Sequence, residues 1–305
     1  MSAFSRACLA LTMAIPLCAA ISLALDAPAR ASTRAPTVWS FYERYTVTAT
    51  DNYTEGCNQA RYNAEEGINS LVWLDFGAQV NTSGTQRYVG HSTTRYNVSQ
   101  FTVWTYSIHY ADGYNACKSG GRYLVLAIGT NNDGALTKAA GEAFAQTVNT
   151  VTGWVRTYYA TISVFGADDI EASWSSYTKW LTWYSGYSTK DYYLLDYGAA
   201  TGCRYATTSN SSCNNGWTRH DVYEAAYGET LDVFTPEIYY SGQAHQWHTI
   251  ETHTSSMYPY GPLNEAAFGC PTTLSAATAW AQLNAYWPGM GYALQDRRLP
   301  LTTSC

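Results

Sequence analysis

The sequence has 305 residues, of which 17 are basic and 23 acidic, giving a net charge of −6 at pH 7. An acidic chain without a basic patch argues against nucleic acid or an anionic membrane as the partner. Its 27 tyrosines and 11 tryptophans suit stacking on sugar rings, but they suit an extracellular β-rich core equally well. Composition therefore excludes two classes of partner without selecting a function.

The first 31 residues have the pattern of a secretory signal peptide. Arg6 precedes a mostly apolar stretch from Leu9 to Leu25, and Ala29-Arg30-Ala31 is a cleavage site of the A-x-A kind. An uncleaved membrane anchor is the alternative, and Pro16 and the cleavage site argue against it. We predict that residues 1–31 are removed, that the product is exported without membrane association, and that residues 32–305 form one domain.

Six cysteines remain after this cleavage, and an even number in an exported chain indicates disulfides rather than metal ligands. Six cysteines allow 15 pairings, among which the sequence does not select. Proximity favours Cys203–Cys213, which would close a loop rich in Thr, Ser and Asn. Cys57–Cys117 and Cys270–Cys305 are then the simplest completion.

The first half of the mature chain alternates between helical and strand-like patterns. Residues 32–56 are polar and show no convincing element. Apolar spacing of three or four residues indicates helices, and short continuous apolar runs indicate buried strands. The predicted elements are a helix over 58–69, a strand over 71–77, a loop over 78–97, a helix over 101–110 and a strand over 123–133.

The second half continues this alternation. The clearest helix is predicted over 136–155, and an acidic strand follows over 162–171. Thr218 has the position of an N-cap for a helix or turn from His220, although 222–227 also fits a strand. The other predicted elements are a short helix within 174–187, a strand over 192–198, a strand over 233–240 that contains Pro236, and a helix over 276–287.

Strands that alternate with helices are typical of parallel βα units. We therefore predict an α/β protein with a single (βα)8-type, TIM-like barrel. Five or six strands can be recognised in the sequence, and the total of eight strands is an extrapolation. Four of the strands end in polar residues. Because the carboxyl ends of parallel strands meet at one edge, these polar residues are expected to form a single site.

The strongest candidate for chemistry is the acidic segment 166–174. With the period of a strand, Asp169 and Glu171 share one face and Asp168 lies on the other. Two close carboxylates cannot both ionise freely, so one can serve as a general acid, as hydrolysis of a glycosidic bond requires. We predict Glu171 as the acid, Asp169 as the residue that orients it, and Asp168 as a helix cap or loop residue. The alternative is an acidic loop that faces water or pairs with Arg.

Glu237 is the second candidate, because it is a lone glutamate in TPEIYY at the end of a later predicted strand. It could be the opposing base or nucleophile, or a buried glutamate satisfied by Tyr or Arg. A separation of about 5–5.5 Å between the carboxyl groups of Glu171 and Glu237 would favour retention of configuration, and about 6.5–9.5 Å would favour inversion. A much larger separation would remove Glu237 from the mechanism.

Further polar and aromatic residues near the strand ends are candidates for substrate binding. Asp75, Asn131 and Asp196 could bind substrate hydroxyls, or they could order the strand ends by hydrogen bonding. Trp174 and Tyr239 could stack on sugar rings, as could Trp73 and Trp247, but core packing is the alternative for each aromatic ring.

Other chemistries have less support in the sequence. His245 and His248 have the H-x-x-H spacing, without the Glu and helical context of a zinc protease, and with His253 they are predicted to lie in a surface loop. The chain has no G-x-S-x-G elbow and no glycine-rich nucleotide motif. We therefore predict neither a metal nor a cofactor.

Five segments carry a resemblance to a known family: LAIGTNN (126–132), GADDIEASW (166–174), DYGAATGC (196–203), NNGW (214–217) and TPEIYY (235–240). Together they resemble exported actinobacterial proteins with a glycoside-hydrolase-like TIM barrel, over most of the mature chain. The resemblance implies that barrel but no settled activity. The pair Asp169-x-Glu171 is also similar to family 18 chitinases and family 25 lysozymes. Only the last three positions of D-G-x-D-x-D-x-E are present, which argues against substrate-assisted chitin chemistry.

We therefore predict a secreted, monomeric protein that hydrolyses a polysaccharide or peptidoglycan by carboxylate acid/base catalysis. The alternative from another class is a non-catalytic barrel that binds a carbohydrate or cell-wall polymer. A third is a disulfide-stabilised surface protein with no role in glycan recognition.

Overall fold

A computed structural model of the protein describes residues 38–44, 48–88, 95–190, 193–203, 211–228, 234–251, 259, 274–288 and 292–294. The predicted signal peptide, His253 and the predicted pair Cys270–Cys305 lie outside these residues. None of the helices within the described ranges combines the length and the apolar character needed to cross a membrane.

The described residues form a mixed α/β fold of eight strands and seven α-helices. The strands are β1 (Val38–Arg44), β2 (Asn69–Val80), β3 (Gly84–Tyr88), β4 (Arg95–Ser99), β5 (Leu124–Asn131), β6 (Ile162–Asp169), β7 (Leu194–Asp196) and β8 (Tyr292–Leu294). The helices are α1 (Ala49–Glu66), α2 (Gln100–Cys117), α3 (Lys138–Tyr158), α4 (Tyr177–Tyr187), α5 (Arg219–Tyr223), α6 (Gln243–Glu251) and α7 (Ala276–Asn284).

The sheet is mostly parallel. β8, β1, β2, β5, β6 and β7 pair in that order, all in parallel, and Phe234 forms a further parallel bridge with Asp196. After an irregularity between Asp75 and Ala78, β2 continues and pairs in antiparallel fashion with β3, which pairs with β4. Within the described ranges the sheet is open, so they show the α/β class and parallel order but no closed eight-stranded barrel.

The two faces of the sheet bury different side chains. Val72, Leu126 and Val164 belong to the main core, together with Phe144 and Val148 of α3; we call this side the helix face. The opposite side, the inner face, carries a smaller buried cluster made of Leu71, Trp73, Ala127, Ala167, Leu195 and Tyr197. Strand periodicity therefore separates the faces of β6 as predicted, with Ala167 on the inner face.

Three regions differ from the sequence-based expectation. The predicted irregular region 32–56 contains β1 and the first turns of α1, and the predicted loop 78–97 contains the end of β2 with β3 and part of β4. Within the described residues 234–240, the predicted strand over 233–240 is reduced to isolated bridging residues, while residues 222–227, for which a strand was only the alternative, are helical. As predicted, Thr218 caps α5, through a reciprocal pair of hydrogen bonds with Asp221.

Two of the predicted disulfides are confirmed. Cys57 of α1 is bonded to Cys117 at the end of α2, and Cys203 is bonded to Cys213. The first joins two helices that cross closely. The close crossing is evident at Gly56, where an added Cβ would lie 2.0 Å from the backbone oxygen of Tyr110. The third predicted pair stays a prediction.

Helices α3 and α4 also approach through glycine, which gives the first testable prediction. A Cβ on Gly141 would lie 2.0 Å from the carbonyl oxygen of Trp183, whereas a Cβ on Gly153 of the same helix would meet nothing within 4 Å. We expect Gly141→Ala to destabilise the protein by about 2 kcal/mol or more, because the two backbones must separate. Gly153→Ala should instead stabilise it by about 0.5–1 kcal/mol. Urea unfolding of both variants tests this, and equal effects would contradict the close crossing.

A buried carboxyl group lies between the sheet and the first helix pair. Glu43 of β1 is 6% exposed, and Tyr110 of α2 donates a hydrogen bond of 2.7 Å to its Oε1. Burial raises the pKa of Glu43 well above its usual value, and the charge of the nearby Glu55 raises it further, while the bond from Tyr110 opposes the shift. The folded protein therefore holds this proton more tightly than the unfolded chain does.

Stability should consequently depend on the protonation of Glu43. A raised folded-state pKa gives stability that is present at low pH and is lost as the pH rises through that pKa. We expect Glu43→Gln, which keeps the acceptor oxygen, to raise the free energy of unfolding at pH 8 and to have little effect near pH 4. Urea unfolding across this range measures the difference, with Glu65→Gln on the exposed side of α1 as the control. An equal change in the free energy of unfolding at pH 4 and at pH 8 would contradict a role for the protonation of Glu43.

Candidate active site

The predicted site residues gather at the carboxyl edge of the parallel strands. Asn131, Asp169 and Asp196 are the last residues of β5, β6 and β7, and Asn131 is the register partner of Asp169. Glu237 reaches this edge because its backbone N–H donates a bond of 3.0 Å to the carbonyl of Gly198, just beyond β7. Residues distant in sequence are thus neighbours.

Three carboxylates converge there. One oxygen each of Asp169, Glu171 and Glu237 lies within 4.8 Å of the others. Asp169 and Glu237 are 8% and 6% exposed, and Glu171 is half-buried. In the described part of the chain this is also the one group of three such side chains that could together hold a metal ion.

Glu171 lies beyond the last strand residue and is held by an amide that the sequence analysis did not single out. Its backbone N–H donates to Oδ1 of Asn132 at 3.0 Å, and Nδ2 of Asn132 donates to the Glu171 carbonyl at 2.9 Å. The hydroxyl of Ser173 donates to Oε2 of Glu171. Asn132 follows Asn131 at the end of β5 and is the last residue of the LAIGTNN segment, and these were its two signals in the sequence.

The loop after Glu171 is fixed by the NNGW segment. Nδ2 of Asn215 donates to the carbonyls of Ala172 and Ser173, at 3.0 and 2.7 Å. The indole N–H of Trp217 donates to the carbonyl of Ser175. Two segments on which the family resemblance rests are therefore in direct contact.

Glu237 is held by its own downstream residues. The hydroxyl of Tyr239 donates to Oε1 of Glu237, so the predicted alternative of a glutamate satisfied by Tyr describes part of its environment. Oε1 of Gln243, the first residue of α6, accepts the backbone N–H groups of Tyr239 and Tyr240 at 2.6 and 2.8 Å. The position of Tyr239 is therefore tied to the start of a helix.

Asp75 lies on the inner face of β2, as the register partner of Gly129. It accepts hydrogen bonds from the backbone of Gly77 at 2.8 Å and from the hydroxyl of Tyr197 at 3.3 Å. A Cβ on Gly129 would lie 2.5 Å from that hydroxyl, so the glycine makes room for Tyr197 to cross the strand and reach the carbonyl of Thr130.

The electrostatic environment of Asp169 favours its protonated form. Burial is the first cause that raises its pKa well above the usual value for aspartate. The second cause is the negative charge of neighbouring acids, in decreasing order Glu237, Glu171, Asp75 and Asp196. Like charges this close disfavour full ionisation, so the cluster binds a proton more readily than an isolated aspartate does.

Asp168 and Asp196 belong to the other side of the sheet. They are register partners, and Asp168 accepts the indole N–H of Trp180 at 3.0 Å, so it is a buried strand residue rather than the predicted cap or loop residue. Asp196 accepts backbone N–H groups from Gly198 at 2.9 Å and Ile170 at 3.4 Å. Burial raises the pKa of Asp196 to about 7, against the effect of these bonds. Asp196 therefore orders the strand ends.

The candidate aromatic residues fall into two groups. Trp73 and Trp247 are fully buried, Trp73 beside Tyr197 and Trp247 beside Phe234, with ring centroids 5.0 and 5.1 Å apart. Trp174 is half-buried in the turn that begins at Glu171. Trp174 and Tyr239 therefore remain candidates for stacking against a ligand, whereas the first two are core residues.

Two of the candidate histidines belong to a helix. His245 and His248 are on α6 rather than in the predicted surface loop, and both pack against Tyr286. The oxygen-rich cluster at the sheet edge is thus the centre of the candidate site.

Comparison with known proteins adds no family assignment, because no family model matches the chain and no curated protein is significantly similar to it.

Proposed function

We propose that the protein hydrolyses glycosidic bonds in a polysaccharide or in peptidoglycan, with Glu171 and Glu237 as its two reacting carboxyl groups. The observation that carries the proposal is the proximity of these side chains, because one oxygen of each lies within 4.8 Å of one oxygen of the other at the carboxyl edge of a parallel sheet. Carboxyl groups about 5–5.5 Å apart serve enzymes that retain configuration, while about 6.5–9.5 Å leaves room for the water of an inverting enzyme. The geometry therefore supports retention.

The proposed reaction has two steps. The carboxylate of Glu237 attacks the anomeric carbon while Glu171 donates a proton to the glycosidic oxygen, so that the leaving sugar departs as an alcohol. Glu171 then takes a proton from water, which attacks the glycosyl ester and frees Glu237. Asp169 interacts electrostatically with both glutamates. In this reaction it would position Glu171 and favour the protonated form of Glu171.

The proposal includes a closed barrel and an exported protein. Six strands in parallel order, continued by the bridge at Phe234, follow the succession of a (βα)8 barrel. Disulfides are typical of exported proteins, and residues 1–31 have the pattern of a signal peptide. The proposed partner is a glycan or cell-wall polymer, bound by a monomer.

Binding without cleavage is the second candidate. It is favoured by the low exposure of Asp169 and Glu237, which limits access to two of the three acids. Trp174 and Tyr239 would still offer rings to a sugar in such a protein.

The test is incubation of the mature protein with peptidoglycan, chitin and a panel of other polysaccharides. We expect new reducing ends, and ¹H NMR of the first product should show the anomeric configuration of the substrate. An inverted product would contradict the two-step reaction. A polymer that is bound in a pull-down but is not cleaved would support the second candidate.

A further inference from the structure

The three converging carboxylates have the spacing of ligands around one cation. Oxygens of Asp169, Glu171 and Glu237 lie within 4.8 Å of one another. Ca²⁺ binds oxygens at about 2.3–2.6 Å, so two of its ligands can be at most about 4.6–5.2 Å apart. Mg²⁺ binds at about 2.0–2.1 Å, which limits that separation to about 4.2 Å. The limit of 4.8 Å lies within the separation available around Ca²⁺ and above that around Mg²⁺, so the larger ion can reach all three oxygens over the whole range that this limit allows.

Asp169 supplies a second and separate observation. It is 8% exposed, and within the described ranges its Oδ1 is buried without a hydrogen-bond donor. Buried carboxylates are normally satisfied by hydrogen bonds, by a counter-charge or by a metal. A cation at the centre of the cluster would supply the missing interaction.

The two glutamates are already oriented by neighbouring hydroxyl groups. Ser173 donates to Oε2 of Glu171, and Tyr239 donates to Oε1 of Glu237. Hydrogen bonds of this kind hold ligating carboxylates in place in metal sites. The loop positions are also fixed, because Asn132 binds both backbone groups of Glu171.

We propose that Asp169, Glu171 and Glu237 bind a divalent cation of the size of Ca²⁺, and that the bound cation inhibits hydrolysis. Inhibition follows because the cation occupies the oxygens that would attack the sugar and move the proton. The proposed inhibition rests on the proposed function, whereas the proposed cation binding does not. With three protein carboxylates and water as the remaining ligands, we expect a dissociation constant of about 10⁻⁴–10⁻³ M.

The binding test uses Tb³⁺, whose emission is sensitised by nearby indole and phenol rings such as those of Trp174 and Tyr239. We expect saturable emission from the mature protein, displaced by Ca²⁺ at concentrations at least tenfold lower than by Mg²⁺. Glu237→Gln and Asp169→Asn should weaken the Ca²⁺ competition at least tenfold, and the exposed Glu142→Gln should not. Far-UV circular dichroism checks that each variant is folded.

Isothermal titration of the wild-type protein with Ca²⁺ gives a result that does not depend on any variant. Absence of binding up to 10 mM Ca²⁺ would overturn the cation site. A loss of Ca²⁺ affinity in Glu142→Gln as large as the loss in Glu237→Gln and Asp169→Asn would also overturn it. If Ca²⁺ binds but no glycan in the panel is cleaved, the proposed hydrolysis fails and the cation site stands. If cleavage occurs and Ca²⁺ neither binds nor inhibits, the cation site fails and the hydrolase stands.

Discussion

Glu237→Gln is expected to lower the turnover of glycan hydrolysis by about 10³-fold or more, and Glu171→Gln by a similar factor. Glutamine preserves the size of each side chain and can still accept the hydroxyl bonds from Tyr239 or Ser173. The substitution therefore removes the negative charge or the transferable proton with little change in packing. Initial rates on the best substrate of the panel measure the effect, with Glu142→Gln as a control for loss of an exposed acid.

The two glutamates can be told apart with a substrate that carries a good leaving group and with azide as an external nucleophile. Glu237→Ala should then yield a glycosyl azide of inverted configuration, because azide replaces the carboxylate nucleophile. Glu171→Ala should yield the retained azide, because the glycosyl ester still forms. Swapped outcomes would exchange the two roles, and unchanged rates in both glutamine variants would remove the pair from catalysis.

Removal of the Cys57–Cys117 disulfide is expected to destabilise the protein by about 4 kcal/mol, and removal of Cys203–Cys213 by about 3 kcal/mol. The difference follows from loop length, because the bonded residues are 60 apart in the first case and 10 in the second. A longer loop loses more conformational entropy in the unfolded chain when it is closed. Urea unfolding of the two double alanine variants measures both values.

The packing around Cys57 allows the effect of losing the disulfide to be distinguished from the effect of shortening the cysteine side chains. The neighbouring Gly56 touches the backbone of α2, so the helix pair retains its close crossing when the sulfurs are removed. Reduction of the wild-type protein breaks every disulfide, so its loss should be at least the sum of the losses of the two double variants. A loss below about 1 kcal/mol in both experiments would show that the unfolded chain gains little freedom from the break.

The sequence predicted those elements whose apolar residues follow a regular spacing. β2, β5, β6 and α3 were placed within a few residues of their observed bounds. The start of α1 was missed because its first turns bury the polar side chains of Asn52 and Glu55, and the same helix continues with further buried polar residues. Asn63 donates to Ser70 at 2.8 Å and to Tyr114 at 2.9 Å. Such a hydrogen-bonded interface has no apolar period to detect.

The site was predictable to the extent that it depends on strand parity. The alternation of side chains along a strand placed Asp169 on the inner face and Asp168 on the helix face, and the observed partners of Asp168 agree with this. The approach of Glu237 to Glu171 was not predictable from spacing, because it depends on a parallel bridge at Phe234 where the predicted strand hardly forms. Asn132 was missed because its role depends on the path of the chain after β6.

The double hydrogen bond between Asn132 and the backbone of Glu171 has a thermodynamic consequence. Fixing the backbone of one residue costs about 1–2 kcal/mol in conformational entropy. At Glu171 this ordering takes place when the protein folds, because the amide of Asn132 satisfies both backbone groups without a ligand. Ligands that bind at this edge therefore meet a preorganised carboxylate, and their affinity is not reduced by the ordering of that residue.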